Sequence, residues 1–212
     1  MSILKVNMTK KEIASEPVPK GKIVGGRAMV DYLLTEYGTP SVHPLSPESI
    51  FVAAPGLLAG TAAPQSGRIS FGGKSPLTGG IKEANAGGTA AHKLGRLGIR
   101  AVMVEGCCEE WQVLKIDSGG YVLEPAGDIV GMKNYPACEK LRQKYGDKVS
   151  IIIIGPAGEM KMANSTVAVT DPQDRPARHA GRGGVGAMMG AKGLKAIVVD
   201  SSGVSVRKAV DE

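Results

Sequence analysis

Two stretches of the sequence combine glycine with polar and basic residues in a way that suits anions. The first is Ala84-Asn85-Ala86-Gly87-Gly88, and the second is Arg178-His179-Ala180-Gly181-Arg182-Gly183-Gly184. A glycine-rich turn that opens a helix leaves backbone N–H groups unpaired and aimed outward. The helix dipole adds positive potential there, so each stretch reads as a phosphate site. Two phosphates brought close together repel unless neutralised, and a bridging Mg²⁺ with nearby arginines is therefore expected. Arg175, Arg178 and Arg182 lie in or just before the second stretch, and Arg68 closes the turn Ser66-Gly67-Arg68. A surface arginine is commonly only a solvated charge, and Arg175 fits that description as well as it fits a binding role. Arg68, Arg178 and Arg182 differ in having glycine neighbours that permit close approach.

Other chemistries fare worse. The three cysteines, Cys107, Cys108 and Cys138, are odd in number and form no C-x-x-C pair, so they supply neither a disulfide framework nor a four-ligand zinc or iron–sulfur site. Gly181-Arg182-Gly183-Gly184-Val185-Gly186 satisfies G-x-G-x-x-G, with Asp200 placed downstream as a ribose ligand would be. Its context argues against a dinucleotide module, because Pro172 and Pro176 interrupt the segment that would have to be the first buried strand. The helix that follows is short, cut by Gly190 and Gly193. A net charge of +6 favours an anionic partner. With two Phe, one Trp and five Tyr the chain offers few stacking surfaces for bases, which points to a compact anion and away from nucleic acid.

The elements that would position these stretches repeat. Sliding the sequence over itself by 95 positions sets Gly88 through Glu105 onto Gly183 through Asp200. Three glycines coincide, followed by a basic residue, an alanine, three apolar residues and an acid. Each copy reads as a glycine turn, a short helix and a strand, and aliphatic runs at 51–56 and 151–158 lead into both. The repeat halves are outlined at roughly 45–110 and 146–202 within one domain of 212 residues, long enough to bury a sizeable core. Elsewhere, periodicity predicts helices over 28–37, with Met29, Leu33, Leu34 and Tyr37 on one face, and around Cys138, Leu141 and Tyr145, ending at Gly146. Strands are predicted at 3–6, 50–54, 68–71, 101–105, 112–116, 121–123, 151–154, 166–169 and 196–199, with a hairpin turn at Ser118-Gly119-Gly120. The longest aliphatic run, 149–154, is far short of the ~20 residues a membrane crossing needs. No secretory signal is evident at the start, and a soluble, cytoplasmic protein is expected.

Seven ordered motifs carry a resemblance. Gly25-Gly26-Arg27, Pro44-Leu45-Ser46-Pro47-Glu48, Ser66-Gly67-Arg68, Lys74-Ser75-Pro76-Leu77-Thr78-Gly79, Asn85-Ala86-Gly87-Gly88, Gly155-Pro156-Ala157-Gly158-Glu159 and Ala180-Gly181-Arg182-Gly183-Gly184-Val185-Gly186 follow one another through nearly the whole chain. Together they resemble the amino-terminal domain of the aldehyde ferredoxin oxidoreductase family. Its members hold tungsten, or occasionally molybdenum, on the dithiolene sulfurs of two pyranopterins whose phosphates are bridged by magnesium. The resemblance implies an α+β fold of duplicated β-sheet and short-helix repeats with approximate two-fold symmetry. It further implies that Arg68 bonds a pterin and faces a neighbouring four-iron four-sulfur cluster. Asn85 and Gly87 would serve one pterin, and Arg178, His179, Gly181 and Arg182 the other. The backbone carbonyls of Asn85 and His179 would hold the magnesium. The family commonly has alanine where His179 stands, a change that a backbone ligand tolerates.

The family's cluster cysteines and substrate pocket lie in later helical domains. The expectation is therefore a component that is inactive alone and works with a larger helical subunit, or with further domains of the same chain, passing electrons to a ferredoxin-type carrier. The start at Met1 and the polar tail at 204–212 fit either arrangement. Two other readings stand beside this one: a non-catalytic protein that holds or delivers the pterin cofactor, and the dinucleotide-binding module.

Overall fold

The structure, a computed structural model, describes residues 1–21 and 24–208; of the tail at 204–212, the last four residues lie outside the described ones. The chain opens with an antiparallel pair, β1 (Ser2–Asn7) and β2 (Glu12–Pro17), followed by α1 (Arg27–Tyr37). Next come β3 (Phe51–Pro55), β4 (Ile69–Lys74), β5 (Ile81–Ala86), α2 (Ala90–Arg96) and β6 (Ile99–Glu105). The second half opens with the hairpin β7 (Gln112–Asp117) and β8 (Gly120–Pro125), then α3 (Asn134–Tyr145), β9 (Ser150–Ile153) and a one-turn α4 (Pro156–Glu159). It ends with β10 (Val167–Val169), β11 (Arg178–Ala180), α5 (Val185–Gly190) and β12 (Leu194–Val199).

The two six-stranded sheets have the same plan, strand for strand. The first runs β2-β1-β6-β3-β4-β5 and the second β8-β7-β12-β9-β10-β11. In each, the first strand of the half lies parallel to the last, β1 with β6 and β7 with β12, and the other pairings are antiparallel. The fold is thus a duplication in which the repeating unit runs over 2–105 and 112–199, wider than the 45–110 and 146–202 that sequence similarity outlines. The coinciding glycines do matched work. A methyl group on Gly95 would lie 2.1 Å from the Ala59 carbonyl oxygen, and one on Gly190 would lie 2.0 Å from that of Gly158. Each helix can therefore meet the loop after its neighbouring strand only through a bare backbone.

Alternation along the strands assigns the cores. Leu4, Phe51, Ala53 and Val102 of the first sheet join Leu114, Ile152 and Ile197 of the second in one shared core. The helices α2 and α5 lie in that space, and α2 touches β3 and β6 on one side and β9 and β12 on the other. The opposite faces are covered too. Val52, Ala54 and Met103 pack under Met29, Val30, Leu33 and Leu34 of α1, while Ile151, Ile153 and Val198 pack under Cys138 and Leu141 of α3. Sheets covered on both sides read as continuous aliphatic runs, which is why 151–154 and 196–199 show no alternation. Each large side chain buried this way stabilises the fold by about 1.5–3 kcal/mol.

Several expectations need correction. Tyr37 does not join the buried face of α1; it is 42% exposed, with the Lys5 ammonium 4.3 Å from its ring centre. The strand β2 was not expected, because Glu12, Ser15 and Glu16 leave it no apolar face to read. The two glycine stretches are only partly turns. Ala84 to Ala86 complete β5 and Arg178 to Ala180 form β11, so the turns begin at Gly87 and Gly181. The segment before Gly181 is a short antiparallel edge strand, separated from β12 by β10 and β9. A dinucleotide unit needs adjacent parallel strands there, so that reading is set aside. The Asp200 carboxylate instead accepts bonds from the Ser202 N–H and hydroxyl at 2.8 and 2.6 Å. Among the described residues, no helix is long and apolar enough to cross a membrane.

Candidate functional site

The outer strands β5 and β11, the last of each sheet, come together at the centre of the molecule. Their ladders give the correspondence between halves. Asn85 pairs with Ser70, which pairs with Ala54; His179 pairs with Ala168, which pairs with Ile153. Asn85 and His179 therefore occupy the same place in the two sheets. By the same register Gly87 corresponds to Gly181, a shift of 94, one position off the 95 of the helix–strand repeat.

Two clefts flank this junction, one of about 780 Å³ and one of about 690 Å³. The first is walled by Lys82, Glu83 and Asn85 of β5 and closed by Gly181 and Arg182 from the other half, with Arg27 of α1 at its side. The second is walled by Ala177, Arg178 and His179 beside and along β11 and closed by Gly87, Gly88 and Thr89 from the first half. Each joins one half's edge strand to the other half's glycine turn, so Gly87 falls with Arg178 and His179, and Gly181 and Arg182 fall with Asn85, a different grouping from the expected one of Asn85 and Gly87 against Arg178, His179, Gly181 and Arg182. Arg68, Asn85 and His179 line both. Arg68, Asn85, Gly87, Arg178, His179, Gly181 and Arg182 each line one or both of these adjoining clefts.

The floor is tied by a chain of side-chain bonds. Arg68 Nε donates to Asn85 Oδ1 at 2.9 Å, and its Nη2 donates to the same oxygen. Asn85 Nδ2 donates to Glu83 Oε1, and Arg27 Nε donates to Glu83 Oε2, both at 3.3 Å. His179 Nδ1 lies 2.8 Å from Thr166 Oγ1. The guanidinium groups of Arg178 and Arg182 are exposed and have no hydrogen-bond or ion-pair partner among the described residues. Arg175 behaves differently: its Nη2 donates to Asp171 Oδ2 at 2.9 Å and it lines neither cleft. The Asp171 carboxyl is held below its ordinary range first by that guanidinium. Lys82, Glu83, Arg27 and His92 escaped the sequence reading. Lys82 and Glu83 lie in a stretch with no β-branched residue to mark it as a strand, and Arg27 and His92 appear in the sequence only as members of a motif and of the repeat.

Glycine chemistry tests whether this surface suits a bulky anionic group. Gly183 and Gly184 are fixed by the fold, with φ of 72° and 75° and protein atoms within 2.3 Å of any added methyl. Gly87 and Gly181 are not. Neither has a positive φ; a methyl on Gly87 would meet nothing within 4 Å, and one on Gly181 only the Thr166 Cγ2 at 3.8 Å. The protein gives no steric reason for glycine at these two symmetric positions, whereas a ligand lying against the backbone does. Among the described residues no three His, Cys, Asp or Glu side chains converge as metal ligands. Cys138, its thiol pushed up to about 12 by burial, cannot act as a thiolate near neutrality. The surface therefore fits a group that brings its own metal ligands and presents oxygen anions to backbone and guanidinium.

The profile described as "Aldehyde ferredoxin oxidoreductase, N-terminal domain" matches residues 3–201. The tungsten-containing aldehyde ferredoxin oxidoreductase of Pyrococcus furiosus is 39% identical over 203 residues, which make up 94% of this chain and 33% of that protein. The WOR-like subunit of an aliphatic sulfonate oxidoreductase from the same organism is 25% identical, over 95% of this chain and 34% of its own length. Among solved structures, the active-site complex BamBC of benzoyl coenzyme A reductase, in complex with 1,5-dienoyl-CoA, superposes with a TM-score of 0.87 at 28% identity. That match covers 93% of this chain and 30% of the other. The fold and these likenesses first define a class, a duplicated two-sheet domain of a kind found in relatives named as oxidoreductases. Within that class, the chain belongs to the aldehyde ferredoxin oxidoreductase N-terminal domain family. It spans about a third of the length of the curated relatives it matches.

Proposed function

We propose that the chain is the cofactor-bearing base of a tungsten or molybdenum bis-pyranopterin oxidoreductase, with one pterin in each cleft. The observation that carries this reading is that each of the two clefts joins one half's edge strand to the other half's glycine turn, with Asn85 and His179 at equivalent places, because paired like ligands need paired sites. In it, Gly87 and Gly181 let the ligands lie against bare backbone, and Arg178 and Arg182 neutralise anionic oxygens. Arg68, fixed by Asn85, lies where the clefts meet and faces both. The backbone carbonyls of Asn85 and His179, equivalent by register, would hold a Mg²⁺ between the phosphates. When bound, the metal–dithiolene group supplies two-electron redox chemistry; an aldehyde and water then give an acid, two protons and two electrons. The chain's own residues bind and orient the group, and guanidinium charge favours its anionic form.

A four-iron four-sulfur cluster, the substrate pocket and the transfer of electrons to a ferredoxin-type carrier belong, in this reading, to further domains or a larger helical subunit. Aldehyde is the substrate class favoured by the relatives of highest identity among those compared. The test is cofactor content in the assembled enzyme. Arg68→Ala and Arg182→Ala should each sharply reduce bound pterin and metal, and the double variant should be little worse than the more damaging single one, because both arginines steady one phosphate–magnesium unit. Lysine at either position should rescue only in part. Strictly additive losses, or full retention in either single variant, would falsify the shared site.

A further inference from the structure

The two clefts are alike in backbone but not in side chains, and the difference centres on His92. The residue sits one turn into α2, half-buried, and lines the second cleft together with Gly67, Gly88 and Thr89. Its counterpart under the 95-residue shift is Ala187, which is fully buried in α5 and carries no polar side chain. The first cleft has the carboxylates Glu83 and Asp31 in its wall, and the second has none among its lining residues. The second cleft therefore has His92 in addition to the His179 shared by both, where the first has carboxylates instead.

The state of that imidazole follows from its neighbours. The Gly60 N–H donates to His92 Nδ1 at 3.3 Å, so Nδ1 serves as the acceptor nitrogen and the ring proton sits on Nε2. Gly60 is not part of the cleft wall, whereas Nε2 lies against Gly67, which is. A methyl group at Gly67 would come within 2.6 Å of Nε2 and 2.8 Å of Cδ2, so the glycine is what lets the ring edge reach the wall. Nε2 has no partner among the described residues. Burial first, and then the Arg96 charge, lower the His92 pKa from 6.5, which keeps the ring neutral at physiological pH.

We infer that His92 is a cofactor-binding residue specific to the second cleft, donating a hydrogen bond from neutral Nε2–H to an oxygen of the anionic ligand there. The inference rests on the bis-pterin reading and deepens it. The two pterins are then held by different groups despite the symmetry of the fold, and the second depends on a donor that the first lacks.

The experiment uses the assembled enzyme purified with its cofactor, following the anaerobic release of pterin by fluorescence after oxidation, alongside pterin per metal and the melting temperature. His92→Phe keeps the ring volume and removes the donor. His92→Gln keeps an N–H at about the reach of Nε2. Gly67→Ala keeps the imidazole and pushes it off the wall. The Phe and Ala variants should release pterin roughly two- to tenfold faster, the range one neutral hydrogen bond gives, and Gln should stay near the wild-type rate. A change due only to altered packing would not be rescued by Gln. If Phe does not assemble, the Gly67→Ala rate decides alone. Wild-type release from Phe and Ala, or Gln as fast as Phe, overturns the assignment while leaving the bis-pterin reading intact. Wild-type enzyme without pterin sinks that reading instead.

Discussion

Gly87 and Gly181 are where chemistry and fold separate most cleanly. Both backbones accept an L-residue and both have room for a methyl group, so alanine there should leave the apo fold unharmed. Gly→Ala at a compatible site even stabilises by about 0.4–1 kcal/mol through the unfolded state. We predict that Gly87→Ala and Gly181→Ala melt at or slightly above the wild-type temperature yet bind markedly less pterin and metal. Gly184→Ala, which would set a methyl 2.3 Å from the Ala163 carbonyl oxygen at a positive φ, should instead lower the melting temperature. Thermal melts paired with metal analysis read both effects, and unchanged cofactor content in both cleft variants would contradict the account. At this scale the sequence was most informative for Arg68, Arg178 and Arg182, whose glycine neighbours announce close approach. It was silent on Glu83 and His92, because a single polar residue on a strand or short helix carries no periodic signal, and their roles arise only when distant loops meet.

At the scale of elements, the sequence revealed the helix–strand portion of the repeat because glycine positions there are dictated by backbone contacts that any sequence with this fold must satisfy. The rest diverged beyond recognition. β1 and β7, or α1 and α3, are related by topology alone, since apolar side chains interchange freely where only volume and face matter. The edge strands β5 and β11 read as turns in the sequence because they are short and poor in β-branched residues. Polar bonds also tie the halves, and those of one lysine carry a pH dependence. Lys192, in the turn from α5 to β12, donates to the carbonyls of Ser46 at 2.8 Å and Pro47 at 3.2 Å, and to that of Ser49. Burial pushes its pKa from 10.5 down to about 8. Between those values the unfolded chain binds more protons than the folded one, so this group makes stability rise with pH across that window. We predict that the melting temperature of wild type, measured relative to Lys192→Met, increases from pH 8 to 10.5. A constant or shrinking difference would show that Lys192 is not held out of water as the geometry requires.

For the whole molecule, the duplication explains how one chain can offer two related clefts without two separate domains. A shared core with α2 and α5 between the sheets fixes the halves relative to each other, so the junction of β5 and β11 is set by packing and not by loop conformation. The chain covers about a third of its curated relatives, and side chains such as Leu58, Leu77 and Met160, 56%, 56% and 69% exposed, lie open in it. Composition and motif order gave the fold class and the anionic character of the ligand. The repeat already pairs the two glycine stretches; which strand walls each cleft, and which turn closes it, is visible only once strand register is known. That pairing also yields the most direct test, the ratio of pterin to metal to chain in the natively purified assembly. The account predicts two pterins and one tungsten or molybdenum per chain. A single pterin per metal, or a folded assembly with neither pterin nor metal, would contradict it.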